Sequence, residues 1–286
     1  MNSNGAEKKT KVHYSMRRPD RERRERAIEK RLTLLAFLAS GEVWTSLAVI
    51  SFLILATEQT ARRLVQRMIE EGTLKVQELV HNGARLKIYG ISDHGLESAP
   101  ARNPYCPAFE LGKTKPSHVQ HHLTCQIVRL YLEREFGWLA WLPERILQAR
   151  AGGGFQRKNR TIPDALGVDK KRQKIAIEIE LNVKYGERMS DALASRVESI
   201  REGEFSKVMY FTDDVDLLRK SFSTIAKVRN SSGEWLERSH WADKFEFFEI
   251  EPILEKMKHA VTLAGKLKIE LLNPDGSVRS VSYADP

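Results

Sequence analysis

The sequence predicts an α+β protein in two parts: an N-terminal helical unit ending in a β-hairpin, and a larger unit built on a mixed sheet. Three observations predict it. Apolar residues recur at helical spacing through residues 27–71. Extended runs flank turn signals at His81-Asn82-Gly83 and over residues 169–173. The second half then alternates helix-spaced with strand-spaced segments. A chain of 286 residues can bury a core in each of two modest domains.

Residues 1–25 are polar and basic and are expected to form a disordered arm. A helix is predicted over Ala27–Ser40, with Ile28, Leu32, Leu35 and Leu38 on one face and Gly41 as its stop. The apolar stretch Val43–Ala56 is interrupted by Thr45, Ser46 and Ser51 and is too short to span a bilayer; it reads as a buried helix over Thr45–Leu55. Thr57 suits the N-cap of a third helix, Glu58–Glu71, stopped by Gly72. That helix turns Ala61, Leu64, Val65, Met68 and Ile69 inward and Arg62, Arg63, Gln66 and Arg67 outward. Two strands, Leu74–Val80 and Ala84–Ile91, follow as a hairpin. Three helices and then a hairpin is the order of a winged helix-turn-helix, assigned to residues 26–92. A helix with an apolar back and an Arg/Gln front fits the major groove of DNA, and a hairpin can touch the adjacent phosphates. The same amphipathic pattern would also serve a structural cap or a dimerisation module.

Residues 93–115 are rich in Pro, Gly and small polar side chains and are expected to be a linker to a second domain, 116–286. There a helix over Ser117–Phe136 carries Leu123, Ile127, Leu130 and Tyr131 inward. Gly137–Arg150 follows with Trp138, Trp141 and Glu144, then Gly152–Gly154 and a basic patch, Arg157, Lys158 and Arg160, assigned to DNA contact. Beyond two central strands come a helix at Ser190–Ile200, a strand at Lys207–Thr212, a further helix and a strand at Phe245–Ile250. Asn-Pro-Asp-Gly inside Lys266–Tyr283 predicts a C-terminal hairpin.

A net charge of +9 favours an anionic partner, and nucleic acid is the commonest. Residues 7–31 alone hold eleven Lys or Arg against five acidic residues. Cys106 and Cys125 stand apart with no paired spacing, which argues against a disulfide framework or a zinc site and suits a reducing cytoplasm. The first thirty residues are too polar for a signal peptide, and no membrane insertion is expected.

The chemistry is concentrated in residues 161–168, TIPDALGV, and 174–181, KIAIEIEL, two strands joined by a polar turn. Strand periodicity sends Ile175, Ile177, Ile179 and Leu181 to one face and Ala176, Glu178 and Glu180 to the other. Two carboxylates on an otherwise apolar strand are costly unless a cation meets them, and Asp164 on the neighbouring strand can reach the same point. Oxygen donors of this kind suit Mg²⁺ or Mn²⁺, which can orient and acidify a water for attack on a phosphodiester. The alternative is a surface hairpin with Glu178 and Glu180 facing solvent.

Pro163-Asp164, a short hairpin and Glu178-Ile179-Glu180 resemble the PD-(D/E)xK nuclease superfamily in order and spacing. Glu180 stands where lysine is commonest in that pattern, so Lys184 is taken as the cation beside the phosphate, with Lys174 as second choice. The resemblance implies a restriction-endonuclease-like α/β/α domain, and Glu144 matches the acidic residue that an upstream helix contributes to the metal. Residues 178–188, EIELNVKYGER, and the domain order are similar to the replication-relaxation family, which includes the MobC-type relaxases. That likeness implies site- and strand-specific nicking of double-stranded DNA at a plasmid transfer origin in a bacterial cytoplasm, alongside an accessory mobilisation protein and a coupling protein. The competing readings are a regulator of plasmid replication or transcription that no longer cuts, and a restriction- or transposase-type double-strand endonuclease. The spacing of His118, His121 and His122 lacks the His-hydrophobic-His alternation of ordinary relaxases and is read as a surface or DNA-facing cluster; Tyr185 is read as a packed aromatic. No P-loop follows the glycines, and no serine or cysteine protease pattern is present.

Overall fold

The computed structural model of the chain describes residues 20–81, 83–150, 161–230 and 232–270. It is α+β, with a mixed sheet, and no helix among the described residues is long and apolar enough to cross a membrane.

The N-terminal unit runs α1 (Asp20–Phe37), a π-turn (Leu38–Glu42), β1 (Trp44–Ser46), α2 (Leu47–Leu53), α3 (Glu58–Glu70), β2 (Leu74–His81) and β3 (Ala84–Ile91). Helix α1 begins seven residues earlier than the sequence predicts, so residues 20–25 are helical rather than part of a disordered arm. Its predicted apolar face is only half used: Leu35 and Leu38 are fully buried, while Ile28 is 56% exposed and Leu32 38%. The stretch read as one helix from Thr45 opens instead with a strand, β1, whose Ser46 pairs with Ile88 and Trp44 with Gly90. Ser46 then caps α2, accepting from the Val49 amide. Strands β2 and β3 pair antiparallel, Leu74 opposite Ile91, completing a three-stranded sheet ordered β1-β3-β2. Thr57 caps α3 as predicted, and Arg62, Arg63, Gln66 and Arg67 lie exposed on its outer side.

Residues 93–115, predicted to be a linker, are folded onto this unit. They start with α4 (Asp93–Glu97), and Cys106 and Phe109 are buried. The amides of Asn103 and Phe109 donate to the carbonyls of Ala39 and Ile91 at 3.0 and 2.7 Å. Small polar and Pro/Gly composition signalled irregular backbone here, and irregular backbone is not the same as a free tether.

The larger unit contains α5 (Val119–Phe136), β4 (Ala140–Pro143), α6 (Glu144–Arg150), β5 (Ala165–Val168), β6 (Lys174–Glu180), α7 (Glu187–Arg201), β7 (Lys207–Thr212), α8 (Val215–Ser223), the small hairpin β8 (Lys227–Arg229) and β9 (Trp235–Glu237), then β10 (Phe245–Glu249) and α9 (Glu251–Glu270). Its five-stranded sheet has the order β10-β7-β6-β5-β4, parallel across β10, β7 and β6 and antiparallel across β6, β5 and β4. Both faces are covered, which is why Lys174 is the one exposed residue of β6. Ile175, Ile177 and Ile179 pack with residues of α5 and α9, whereas Ala176 packs with α7 and α8. Helix α9 still runs at Lys266–Glu270, where the sequence predicts the start of a hairpin; the rest of that segment, and Arg157, Lys158 and Arg160, lie outside the described residues.

Helix α5 belongs to both units. Val128, Leu130 and Leu132 join a core that extends unbroken from Leu34 in α1 to Met257 in α9. On its N-terminal-unit side, Gln126 donates to the Trp44 carbonyl at 2.7 Å and accepts from Thr45 at 2.7 Å. Arg129 bonds Glu42 at 2.9 Å, Ser40 at 2.7 Å and Glu133 at 2.8 Å. Arg134 donates to the Phe52 and Leu53 carbonyls at the end of α2, where a cation complements the helix dipole. Gly41 closes the joint: its φ of 127° suits glycine, and a Cβ there would lie 2.3 Å from Ile146 of α6.

Candidate active site

The carboxylates predicted from the sequence line one open groove of about 1350 Å³, where β6 ends and β5 begins. Pro163 cannot donate to a ladder, and the paired part of β5 starts only at Ala165, opposite Ile177. The Asp164 side chain takes over there, its carboxylate accepting from the Ile179 amide of β6 at 2.7 Å. Its backbone carbonyl accepts from the amide of Glu144, the first residue of α6, at 2.8 Å. Asp164, Glu178, Glu180, Glu144 and Lys184 all line the groove. With side chains 19%, 13% and 8% exposed, Asp164, Glu178 and Glu180 do not stand in bulk water, which removes the surface-hairpin alternative.

Each of the three carboxylates is met by a different basic side chain of the protein. His121, from α5 on one side of the sheet, bonds Asp164 at 3.2 Å. Arg196, from α7 on the other side, pairs with Glu178. Lys184, just past β6, bonds Glu180 at 2.5 Å. Arg196 also donates to the carbonyls of Thr161 and Ile162, so it anchors the segment that delivers Asp164. Ser195 assists by accepting from the Thr161 amide at 3.1 Å.

These contacts explain the protonation of the site. The hydrogen bond to Asp164 outweighs burial and holds the His121 imidazole above its ordinary value. Burial raises Glu144, with the Asp164 charge adding to it. Burial also pushes the Glu178 carboxyl from 4.5 up to about 7, against the pull of Arg196 and with the Asp164 charge adding to the rise. The folded protein therefore keeps a proton on Glu178 that the unfolded chain has lost. The stability this supplies is complete below about pH 4.5 and lost as pH rises through about 7. We expect wild type to lose a few kcal/mol relative to Glu178→Gln between pH 5 and pH 8, since each tenfold difference in proton affinity between folded and unfolded chain is worth about 1.4 kcal/mol. Urea denaturation of both proteins in chelator measures this, and a wild-type/variant difference that does not move with pH contradicts it.

Several sequence-predicted residues sit elsewhere. Lys174 is at the opposite end of β6, six residues or roughly 20 Å from Glu180, so it cannot be the cation at this site. All three histidines line the groove, but they do not form one surface cluster: His121 is at Asp164, while His122 packs on Trp44 with ring centroids 4.2 Å apart and bonds Gln126 at 2.9 Å. Burial lowers the pKa of His122. Tyr185 is 56% exposed, not packed. Arg196 was not singled out from the sequence, although the signal was there: it stands three residues after Leu193 and seven after Met189, on the buried face of α7.

A hard divalent cation fits the donor chemistry of Asp164, Glu178 and Glu180, which is oxygen only. Among the described residues no three acidic, histidine or cysteine side chains stand together as an assembled ligand set; in this conformation the carboxylates are spread among their own cations. Comparison with protein-family models, curated proteins and solved structures finds no match.

Proposed function

We propose that the chain is a divalent-metal-dependent DNA endonuclease that nicks one strand, acting as a relaxase at a plasmid transfer origin. In this reading residues 26–92 form a winged helix, and residues 116–286 a nuclease domain of the PD-(D/E)xK kind. One observation carries it: Asp164 ahead of β5, Glu178 and Glu180 on β6 and Glu144 at the start of α6 line a single groove with Lys184 beside them. The order helix, strand, helix, helix, hairpin and the outward Arg62, Arg63, Gln66 and Arg67 support duplex binding by the N-terminal unit. The relaxase assignment in particular rests on the resemblance of residues 178–188.

Asp164, Glu178 and Glu180, with Glu144 as a fourth donor, are the residues that would hold Mg²⁺ or Mn²⁺. Such an ion supplies Lewis-acid stabilisation of the phosphate and a more acidic bound water. The chain's own residues do the rest. Lys184 offers a positive charge to the phosphate oxygens, Arg196 holds Glu178 and the Asp164 segment in place, and His121 orients the Asp164 carboxylate. Arg145, Lys113 and Lys115 along the groove suit a polyanionic strand.

A second reading, a DNA-binding regulator without nuclease activity, is favoured by the pairing of Asp164, Glu178 and Glu180 each with a basic side chain of the protein itself. Supercoiled plasmid incubated with the full chain and Mg²⁺ or Mn²⁺ separates the two. Open-circular product from wild type and none from Glu178→Ala is the expected result; equal nicking by both rules out the carboxylate site, and binding without nicking by wild type supports the regulator.

A further inference from the structure

Among the described residues, eight carboxylates but only six lysines or arginines line the groove, so on balance it suits a cation. Three of those carboxylates are answered by basic side chains of the protein, and the three answers differ in how easily they can be withdrawn. Arg196 is buried and also bonded to the Thr161 and Ile162 carbonyls, so it cannot leave Glu178 without breaking the segment that carries Asp164. His121 is a stiff ring on α5, with its other nitrogen 3.8 Å from Cys125 of the same helix. Lys184 is of another kind. Its side chain is 47% exposed, and its ammonium reaches Glu180 at the end of a flexible four-carbon stem. Its backbone is held, since the Lys184 carbonyl accepts from Ser221 of α8 at 2.7 Å. Only the side chain has to swing for the ammonium to let go.

The Glu180 side chain is only 8% exposed, and a carboxylate so placed is costly to leave without a positive partner. Lys184 supplies that partner at 2.5 Å while no ion is bound. A divalent cation on Glu180 would bring two further positive charges to the same oxygens, and at such separations like charges repel strongly. Ion and ammonium therefore compete. We propose that Lys184 is a tethered counter-ion that a divalent cation displaces from Glu180, so that loading the site and releasing the Lys184 ammonium are one exchange. The exchange weakens ion binding by the strength of the internal pair. It also frees the ammonium for a phosphate oxygen only once the ion is in place. This regulates the site of the proposed function and rests on that reading for the divalent ion alone.

The test reads the exchange directly in the full chain. Wild type is treated briefly with an amine-acetylating reagent, in chelator and in Mn²⁺, and mass spectrometry of the digest gives the rate at each lysine. Mn²⁺ should raise the rate at Lys184 several-fold and leave that at Lys174, exposed at the far end of β6, unchanged. This arm needs no variant, so it holds even if a substitution at Lys184 disturbs folding. Calorimetric titration with Mn²⁺ should then show Lys184→Met binding about ten-fold more tightly than wild type, a coupling of about 1.4 kcal/mol, and Lys184→Arg binding close to wild type. A Lys184 rate indifferent to Mn²⁺, an affinity unchanged or weaker in Lys184→Met, or no Mn²⁺ binding by either protein overturns the proposal. None of these readings uses cleavage. Exchange without plasmid nicking leaves the proposal standing and removes the nuclease, and nicking with the Lys184 rate unmoved does the reverse.

Discussion

Arg196→Ala is expected to destabilise the protein by about 3–5 kcal/mol, the usual cost of removing one member of a buried ion pair. Arg196 is 3% exposed and is shared between Glu178 and the carbonyls of Thr161 and Ile162. Without it Glu178 has lost the cation that offsets its burial, and two backbone oxygens lose their donor. Lysine would keep the charge but not the planar fork, so Arg196→Lys should fall between alanine and wild type. The loss should be smaller at pH 5, where Glu178 is protonated, than at pH 8. Denaturant titration at both pH values measures this, and an alanine variant within about 1 kcal/mol of wild type, close to the lower edge of meaningful change, would contradict it.

In the proposed nuclease reading, Asp164→Asn should lower plasmid nicking by about a thousand-fold or more while leaving the fold almost untouched. An asparagine oxygen can still accept from the Ile179 amide, so the turn from Pro163 into β5 is preserved. What disappears is the negative charge, which a divalent cation requires and which raises the pKa of His121. Several kcal/mol of charge stabilisation in a metal-assisted displacement correspond to that loss of rate. Asp164→Ala removes the acceptor as well and should cost stability in addition. Melting temperatures and nicking rates of the two variants, measured together, separate the electrostatic from the structural role. Nicking by Asp164→Asn within ten-fold of wild type would rule out a metal-ligand role for this carboxylate.

Where pattern was regular, the sequence was enough. The caps and amphipathic spacing of α3, the β2–β3 hairpin and the alternation along β6 are all local signals, and they place Glu178 and Glu180 on β6, with Asp164 just ahead of the neighbouring strand β5. What escaped depended on distant partners. Three residues, Trp44–Ser46, have no period to detect, and they are a strand only because Gly90 and Ile88 lie alongside. β4 is a four-residue strand whose identity rests on pairing with β5. The apolar character of Ile28 and Leu32 suggested burial, but nothing among the described residues covers them fully. Arg196 and His121 were overlooked as site residues because charge was read as a mark of the surface. Their placement on helices packed against either face of the sheet shows in the fold, and only faintly in the spacing.

The continuity of hydrophobic packing through α5 has a mechanical result. Gln126 and Arg129 clasp β1 and the π-turn from the same helix whose His121 touches Asp164. A hinge needs a weakly packed joint, and this joint has interlocking apolar and polar contacts. In the proposed nuclease reading, a duplex gripped by the N-terminal helices is therefore presented to the carboxylates at a set offset and angle, as between the jaws of a locked caliper. Choosing a new place of reaction would require a different grip, since the handle cannot swing.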